Sequence, residues 1–259
     1  MLNTTAINDV QNFILIKYTK HQIDTPQHVQ KVNLNEWNNY HNMMFNTMLD
    51  QLSFLYPQAN IHVLTNENEK NFGKIVWHFR PNLEENHGAK LELYGLIDKP
   101  AMYIDNDILL IQPFRKRHLK TKHPFNVFQA SYKPLQIYTR RTMPFAPKRQ
   151  YNCGLIWIAR PSRLIVEELL NIKEQYFGDR EWIESNKAWF NNDEHPVSYF
   201  VAKYEMTMRL FKTVNVFRRE IKYKDIFNVQ SIHYTGLKYK EVFVKEYKEL
   251  CQARVRIFS

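Results

Sequence analysis

Two aspartates stand directly after a short apolar run, at residues 101–104, of the kind that forms a strand buried on both faces. Asp105 and Asp107 are two apart, so on an extended chain both carboxylates project to one side and offer hard oxygen ligands to a divalent cation. A cation there could bridge diphosphate oxygens and neutralise the charge that develops on a departing diphosphate. Charged turns that cap strands can have the same spacing, so the spacing alone does not indicate a metal site. The prediction depends on the position of the pair directly after a buried strand.

Further polar motifs follow in a fixed order. Lys90 lies in a predicted short helix, and the later motifs are Tyr-Asn-Cys-Gly at 151–154, Asn-Asp-Glu at 192–194 and His-Tyr-Thr-Gly at 233–236. Three of them have a plainer explanation: Lys90 could be a solvated lysine, residues 151–154 a turn before a strand, and His233 a structural histidine. Their order along the chain is therefore more informative than any one of them.

This order resembles that of the GT-A fold glycosyltransferases, particularly the glycogenin and lipopolysaccharide galactosyltransferase group. That group has a helix with a basic residue, an apolar strand, Asp-x-Asp, Asn-x-Gly, an acidic segment and a final His-x-x-Gly. The resemblance spans about residues 12 to 240. It implies a metal-dependent transfer of a hexose or pentose from a nucleotide sugar, most simply a UDP-sugar, to a hydroxyl acceptor.

The resemblance also implies roles for individual residues. The metal, Mn²⁺ or Mg²⁺, would be bound by Asp105, Asp107 and His233, and the nitrogen ligand favours manganese. Asp193 and Glu194 would be catalytic, orienting hydroxyls or acting as a base. The residues predicted to bind the donor are Thr19, Lys90, Asp105, Asn106, Asn152, Gly154, Gly236 and Lys238.

The sequence departs from the group's pattern at its end. The group continues His-x-x-Gly-x-x-Lys-Pro-Trp, whereas this chain has Leu-Lys-Tyr-Lys after Gly236, so Lys238 is displaced by one position. Lys238 or Lys240 is then the residue expected to reach the diphosphate, and the expected relationship is to the broader GT-A fold.

Hydrophobic periodicity predicts an α/β fold with a mainly parallel central sheet flanked by helices, in one domain over residues 1–259 with 1–10 and 250–259 loose. The helix at the first long amphipathic stretch is expected to begin at an N-cap Asn35 and to end before Pro57. Predicted strands cover 13–18, 61–64, 74–79, 101–104, 125–131, 153–158, 213–217 and 230–234. Predicted helices cover 89–96, 162–176 and part of 180–204; a loop covers 134–149, and a basic tail follows the last strand.

The net charge of +10 predicts attraction to polyanions. Basic residues cluster at 115–122, at 140–141 with 148–149, and at 218–224. These clusters are either solvated loops or a binding face, on which Tyr132, Tyr138 and Phe145 could stack bases. The acceptor could then be a polyanion, such as hydroxylated bases in DNA or an acidic surface glycan. The alternative function is a metal-dependent nucleic-acid-binding protein or nuclease, although residues 108–114 supply no further acid.

The sequence gives no indication of export or membrane insertion. Residues 1–9 lack a basic start followed by an apolar stretch, and the longest apolar runs are far shorter than the roughly 20 residues that a spanning helix needs. Cys153 and Cys251 are far apart, which favours neither a zinc site nor a disulfide framework. A cytoplasmic protein without a transmembrane segment is expected.

Overall fold

The computed structural model describes residues 10–17, 19, 33–81, 95, 97–114, 119–127, 133–134, 149–150, 153–178, 194–204, 215–217, 229–234 and 240–258. The strands in these ranges are β1 (Asn12–Lys17), β2 (Asn60–Thr65), β3 (Ile75–Phe79), β4 (Ala101–Ile104), β5 (Ile108–Leu110), β6 (Phe125–Val127), β7 (Lys133–Pro134), β8 (Arg149–Gln150), β9 (Leu155–Ile158), β10 (Asn215–Phe217) and β11 (Ser231–His233). The helices are α1 (Leu34–Leu55), α2 (Arg163–Gly178), α3 (Glu194–Lys203) and α4 (Lys240–Phe258).

The central sheet has six strands in the order β3-β2-β1-β4-β9-β6. Neighbours among β3, β2, β1 and β4 are parallel, while β9 is antiparallel to both β4 and β6. The predicted mainly parallel sheet is therefore confirmed. The four parallel strands end at one edge, and that edge is where ligands of open α/β sheets bind.

Alternating side chains on β4 divide the core into two layers. Met102 and Ile104 belong to a cluster with Phe45 and Leu52 of α1. Ala101 and Tyr103 belong to a second cluster, which includes side chains from α2 and α3: Leu169, Ile172, Val197, Phe200 and Val201. Helices thus cover both faces, and β4 delivers Asp105 from a strand that is buried throughout.

Helix α1 begins two residues earlier than predicted. The side chain of Asn33, not Asn35, accepts a hydrogen bond from the backbone N–H of Glu36, at 3.1 Å. Both asparagines suit an N-cap chemically. The predicted start is too late because the apolar stripe begins only at Trp37, whereas the helix has a preceding turn that lies partly in solvent.

A second sheet has the order β10-β11-β5, with β10 parallel and β5 antiparallel to β11. Because β5 follows β4 after a three-residue turn, this sheet continues from the carboxyl edge of the central one. A third sheet pairs β7 with β8 at the two ends of the predicted 134–149 loop, whose interior lies outside the described residues.

The predicted basic tail contains a 19-residue helix, α4. Phe243 is fully buried, and Tyr247 and Leu250 pack against the same cluster, which includes Ile232 and Tyr234 around β11. The spacing of 243, 247 and 250 is helical, and this signal was overlooked because lysine and glutamate dominate the segment. None of the described helices has the length and apolar character needed to cross a membrane.

Of the other predicted elements, the strand at 125–131 is observed over 125–127, and the rest of it lies outside the described residues. The predicted helix at 89–96 also lies outside the described residues, apart from residue 95. The helix predicted around Pro196 is present as α3.

Candidate metal centre

The Asp105–Asp107 segment is a tight turn that joins β4 to β5. The backbone N–H of Ile108 donates to the carbonyl of Asp105 at 3.2 Å, which closes the turn. The N–H of Asp105 donates to the carbonyl of Gly154 at 2.7 Å, just before β9. The turn is therefore held between the central sheet and the second sheet, and the backbone that carries its two carboxylates is restrained.

His233 reaches this turn from the end of β11. Its register partner in β5 is Ile108, and the N–H of Tyr234 donates to the carbonyl of Asp107 at 2.9 Å. The antiparallel pairing of β11 with β5 therefore brings together residues that are more than 120 positions apart in the sequence.

Asp105, Asp107 and His233 form one compact group. Nε2 of His233 lies 3.1 Å from Oδ1 of Asp107 and 4.0 Å from Oδ2 of Asp105, and one ligand atom from each residue lies within 4.8 Å of the others. The side chain of His233 is 3% exposed, while those of Asp105 and Asp107 are 25% and 22% exposed. The imidazole thus lies on the buried side of the group, and the two carboxylates lie on its solvent-exposed side.

These three residues fit a divalent cation chemically. Two carboxylate oxygens and an imidazole nitrogen are a donor set for a first-row cation such as Mn²⁺, and three protein ligands leave coordination positions for substrate oxygens. The structure brings together the three ligands that the sequence predicted, and metal binding by them stays a prediction. Among the described residues this is the only cluster of three or more histidine, cysteine or acidic side chains with such spacing.

Tyr103 also contacts the group and is not among the site residues predicted from the sequence. The residue is 2% exposed, and its hydroxyl donates a hydrogen bond to Oδ1 of Asp105. Residues two apart on a strand share a face, so the tyrosine at this spacing was a usable signal. It was overlooked because tyrosines in apolar strands usually serve as core residues.

Asn106 ties the turn to the first strand. Its Nδ2 donates to the carbonyl of Ile16 at 2.7 Å, and the residue is only 7% exposed. Its Oδ1 is buried and has no hydrogen-bond partner among the described residues. The middle residue of the motif therefore joins the ends of β1 and β4.

Thr19 lies beyond β1 and is held by the loop after β2. Asn66 binds both backbone groups of Thr19: the threonine N–H donates to Oδ1 at 3.0 Å, and Nδ2 donates to the threonine carbonyl at 2.8 Å. The hydroxyl of Thr19 donates to Oε1 of Glu67. The amide of Asn66 thus extends the β1–β2 pairing past the end of the ladder.

Lys17 stabilises the same loop. Its ammonium binds Glu67 at 2.5 Å and Glu69 at 2.9 Å, and lies 5.5 Å from the centre of the Trp77 ring. Burial opposes the charge of Lys17, but the hydrogen bonds to both glutamates outweigh it and raise the pKa of the lysine. Burial likewise opposes ionisation of Glu67, yet its hydrogen bonds with Lys17 and Thr19 lower the pKa of that carboxyl.

The remaining predicted site residues are placed only in part. The carbonyl of Gly154 binds the metal turn, as described above. Glu194 is the first residue of α3, and its side chain lies outside the described part of the chain. The predicted residues that lie wholly outside the described ranges are Lys90, Asn152, Asp193, Gly236 and Lys238.

Comparisons with known proteins identify the fold. No protein-family model matches the sequence, and no curated protein matches it either. Among solved structures, the galactosyltransferase LgtC, crystallised with donor and acceptor sugar analogues, aligns over 92% of this chain and 95% of its own, with a TM-score of 0.56 and 12% identity. An active-site mutant of LgtC aligns over 93% and 95% with a TM-score of 0.55 and 12% identity. At this identity the similarity shows a shared fold, so the chain has the GT-A fold that its motif order predicted.

Proposed function

We propose that the chain is a metal-dependent glycosyltransferase, a hexosyl- or pentosyltransferase that moves a sugar from a nucleotide sugar to a hydroxyl acceptor. One observation carries the proposal: Asp105, Asp107 and His233 converge at the carboxyl edge of a parallel sheet. The GT-A fold adds weight, because a solved structure with this fold is a galactosyltransferase. The proposed donor is a UDP-sugar and the proposed cofactor is Mn²⁺, with Mg²⁺ as the alternative.

The chemistry follows from the charges at the site. When bound, the cation would supply Lewis-acid neutralisation of the negative charge on the leaving diphosphate. Asp105 and Asp107 supply the two negative charges that retain a cation, and His233 adds a nitrogen ligand. Because His233 is buried on β11, its side chain loses little conformational entropy when the three ligands bind a cation.

The donor would lie along the same edge. Thr19 and Asn106 stand at the ends of β1 and β4, and Asn66 fixes the backbone of Thr19 toward this edge. We propose that this region binds the nucleoside and that the sugar lies near Gly154. The remaining proposed contacts are Lys90, Gly236 and Lys238 for the phosphates and Asn152 for the sugar.

Asp193 and Glu194 are the proposed catalytic acids. Glu194 begins α3, whose Val197 and Phe200 pack in the same core cluster as Tyr103. A carboxylate at the start of a helix is favoured by the helix dipole. Either residue could orient the acceptor hydroxyl or accept its proton.

The proposed acceptor class is a polyanion bearing hydroxyl groups, such as DNA with hydroxylated bases or an acidic surface glycan. The charge of +10 supports it, since basic proteins attract polyanions from solution. A nuclease is less well supported, because no further acidic ligand joins Asp105 and Asp107 among the described residues.

Calorimetric titration of UDP tests the function. With Mn²⁺ present, UDP should bind the wild-type protein, and it should bind far more weakly when the metal is removed with EDTA. Asp107→Ala removes one of two carboxylate ligands and should weaken UDP binding at least about 100-fold, since even outer-shell changes at metal sites cost 10–100-fold.

Asp50→Ala is the matched control, because Asp50 is an exposed aspartate on α1 that is not part of the metal-ligand group. This variant should bind UDP like the wild type. Absence of metal-dependent UDP binding, or its persistence in Asp107→Ala, would contradict the proposed transferase.

A further inference from the structure

We propose that Tyr103 is a positioning residue for the metal centre: its hydroxyl holds Asp105 so that one carboxylate oxygen binds the cation. The inference rests on the proposed metal site and adds a residue to it. Tyr103 would touch neither metal nor substrate, and would act through Asp105.

The position of Tyr103 is fixed by its strand. It lies between Ile14 of β1 and Ile156 of β9 in register, and its side chain is 2% exposed. A ring enclosed in this way has little freedom to rotate. Its hydroxyl is therefore a fixed donor, presented at the end of β4 where Asp105 begins.

The two oxygens of Asp105 have different surroundings. Oδ1 accepts the hydrogen bond of the Tyr103 hydroxyl, whereas Oδ2 is the oxygen that lies 4.0 Å from Nε2 of His233. Because the phenol occupies one oxygen, the carboxylate is held with the other directed toward the remaining ligands. This arrangement favours binding through a single oxygen.

The hydrogen bond also has an energetic role. The Asp105 side chain is 25% exposed, and the hydrogen bond from Tyr103 restrains the orientation of its carboxylate. Outer-shell hydrogen bonds of this type orient metal ligands, and their loss typically weakens metal binding 10–100-fold.

The test compares two tyrosine-to-phenylalanine variants by titration with Mn²⁺ alone, with free Mn²⁺ followed by electron paramagnetic resonance. Tyr103→Phe should weaken Mn²⁺ binding about 10-fold or more. Tyr56→Phe is the matched control: Tyr56 is also 2% exposed, and its hydroxyl accepts a hydrogen bond from the N–H of Phe114 at 2.6 Å. That variant loses a comparable buried hydrogen bond and should keep the wild-type Mn²⁺ affinity.

A double-mutant cycle with Asp105→Asn separates positioning from a general effect on structure. If Tyr103 acts through the carboxylate, Tyr103→Phe should change the Mn²⁺ affinity of the Asp105→Asn protein by less than about 2-fold. An equal loss in both backgrounds, or an unchanged affinity in Tyr103→Phe alone, would overturn the positioning role and leave the metal site standing. If the wild-type protein bound no Mn²⁺, both proposals would fall; if it bound Mn²⁺ but no UDP, only the transferase would.

Discussion

A pair of histidines on neighbouring strands lies away from the metal centre. Nδ1 of His62 on β2 is 3.1 Å from Nε2 of His78 on β3, and the rings stack with centres 5.4 Å apart. Burial, with smaller contributions from His78 and Lys99, lowers the pKa of His62 from 6.5 to about 4. Burial and then Arg80 lower the pKa of His78. Both rings are therefore neutral at pH 7, and one donates to the other.

This pair predicts a loss of stability in mild acid. In the unfolded chain His62 takes up a proton near pH 6.5, whereas in the folded chain it does so only near pH 4. The unfolded state binds more protons between these values, so the free energy of unfolding falls as the pH drops from 6.5 to 4. Since His62 is only half-buried, about 1 kcal/mol is expected after solvent screening is allowed for.

Urea unfolding at several pH values between 7 and 4 measures this effect. His62→Gln removes the titrating group and keeps a polar side chain that can hydrogen-bond to His78. The variant should lose less stability than the wild type over this range, while carboxylates contribute equally to both proteins. Parallel curves for the two proteins would show that His62 does not carry the acid sensitivity.

The site residues show what a sequence reveals at this scale. Asp105, Asp107 and His233 could be identified because their types and order matched a known motif series. Their mutual distances could not, since these depend on the pairing of β11 with β5. Tyr103 was overlooked because its ring fits the hydrophobic pattern of a core residue. The hydrogen bond from its hydroxyl to the carboxylate of Asp105, just beyond the strand, becomes visible only in the structure.

At the scale of elements, a side chain from α1 completes the short strand that follows the metal turn. One edge of β5 pairs with β11. Near the other edge, Nε2 of Gln51 donates to the carbonyl of Ile108 at 3.3 Å, and Oε1 accepts from the N–H of Leu110 at 2.7 Å. Gln51 is fully buried, and its amide binds the backbone groups of β5 that a neighbouring strand would otherwise bind.

Gln51→Leu should therefore destabilise the fold. Leucine has similar bulk but leaves the Ile108 carbonyl and the Leu110 N–H without their amide partner. Each unsatisfied buried group costs about 1–3 kcal/mol, so a loss of about 2–4 kcal/mol in the free energy of unfolding is expected. Equilibrium urea unfolding at pH 7 provides the measurement.

Gln175→Leu is a suitable comparison, because Gln175 is an exposed glutamine on α2 whose amide donates to Oδ1 of Asn171 at 3.1 Å. Its substitution should change the stability by less than about 0.5 kcal/mol. Similar effects of the two substitutions would show that the amide of Gln51 does not stabilise β5.

The elements themselves were predicted with uneven success, for physical reasons. The strands β1, β2, β3 and β4 were predicted within one residue, because the strands of a parallel sheet covered by helices form apolar runs. The direction of β9 was not predictable, since periodicity carries no information on strand orientation. The helix α4 was overlooked because only one side of it is apolar, on which Phe243 of the first turn is fully buried.

At the scale of the whole molecule, fold and charge constrain the function differently. The GT-A fold is shared with LgtC at 12% identity, so it depends on the hydrophobic pattern and strand order more than on particular residues. The net charge of +10 belongs to this sequence and is independent of the fold. Charge is therefore the property from which an acceptor class can be proposed.

A polyanionic acceptor predicts binding that weakens steeply with salt. A protein that neutralises about five DNA phosphates should lose roughly 500-fold in affinity between 50 and 200 mM salt. Fluorescence anisotropy with labelled duplex DNA measures this dependence, and an acidic glycan as competitor distinguishes the two acceptor classes. Binding that is absent or insensitive to salt would exclude DNA.

Two double variants with the same charge change locate the contact. Arg140→Gln with Arg141→Gln alters a basic cluster within the predicted loop at 134–149, whereas Lys245→Gln with Lys248→Gln alters two exposed lysines on α4. If the loop contacts phosphates, the first pair should reduce the slope of log K against log salt by about 2. The second pair should leave the slope close to that of the wild type, because lowering the net charge by itself removes no phosphate contact. Wild-type slopes in both variants would place the DNA contact elsewhere, and equal reductions in both would show that the lysines of α4 contact phosphates as well as the loop.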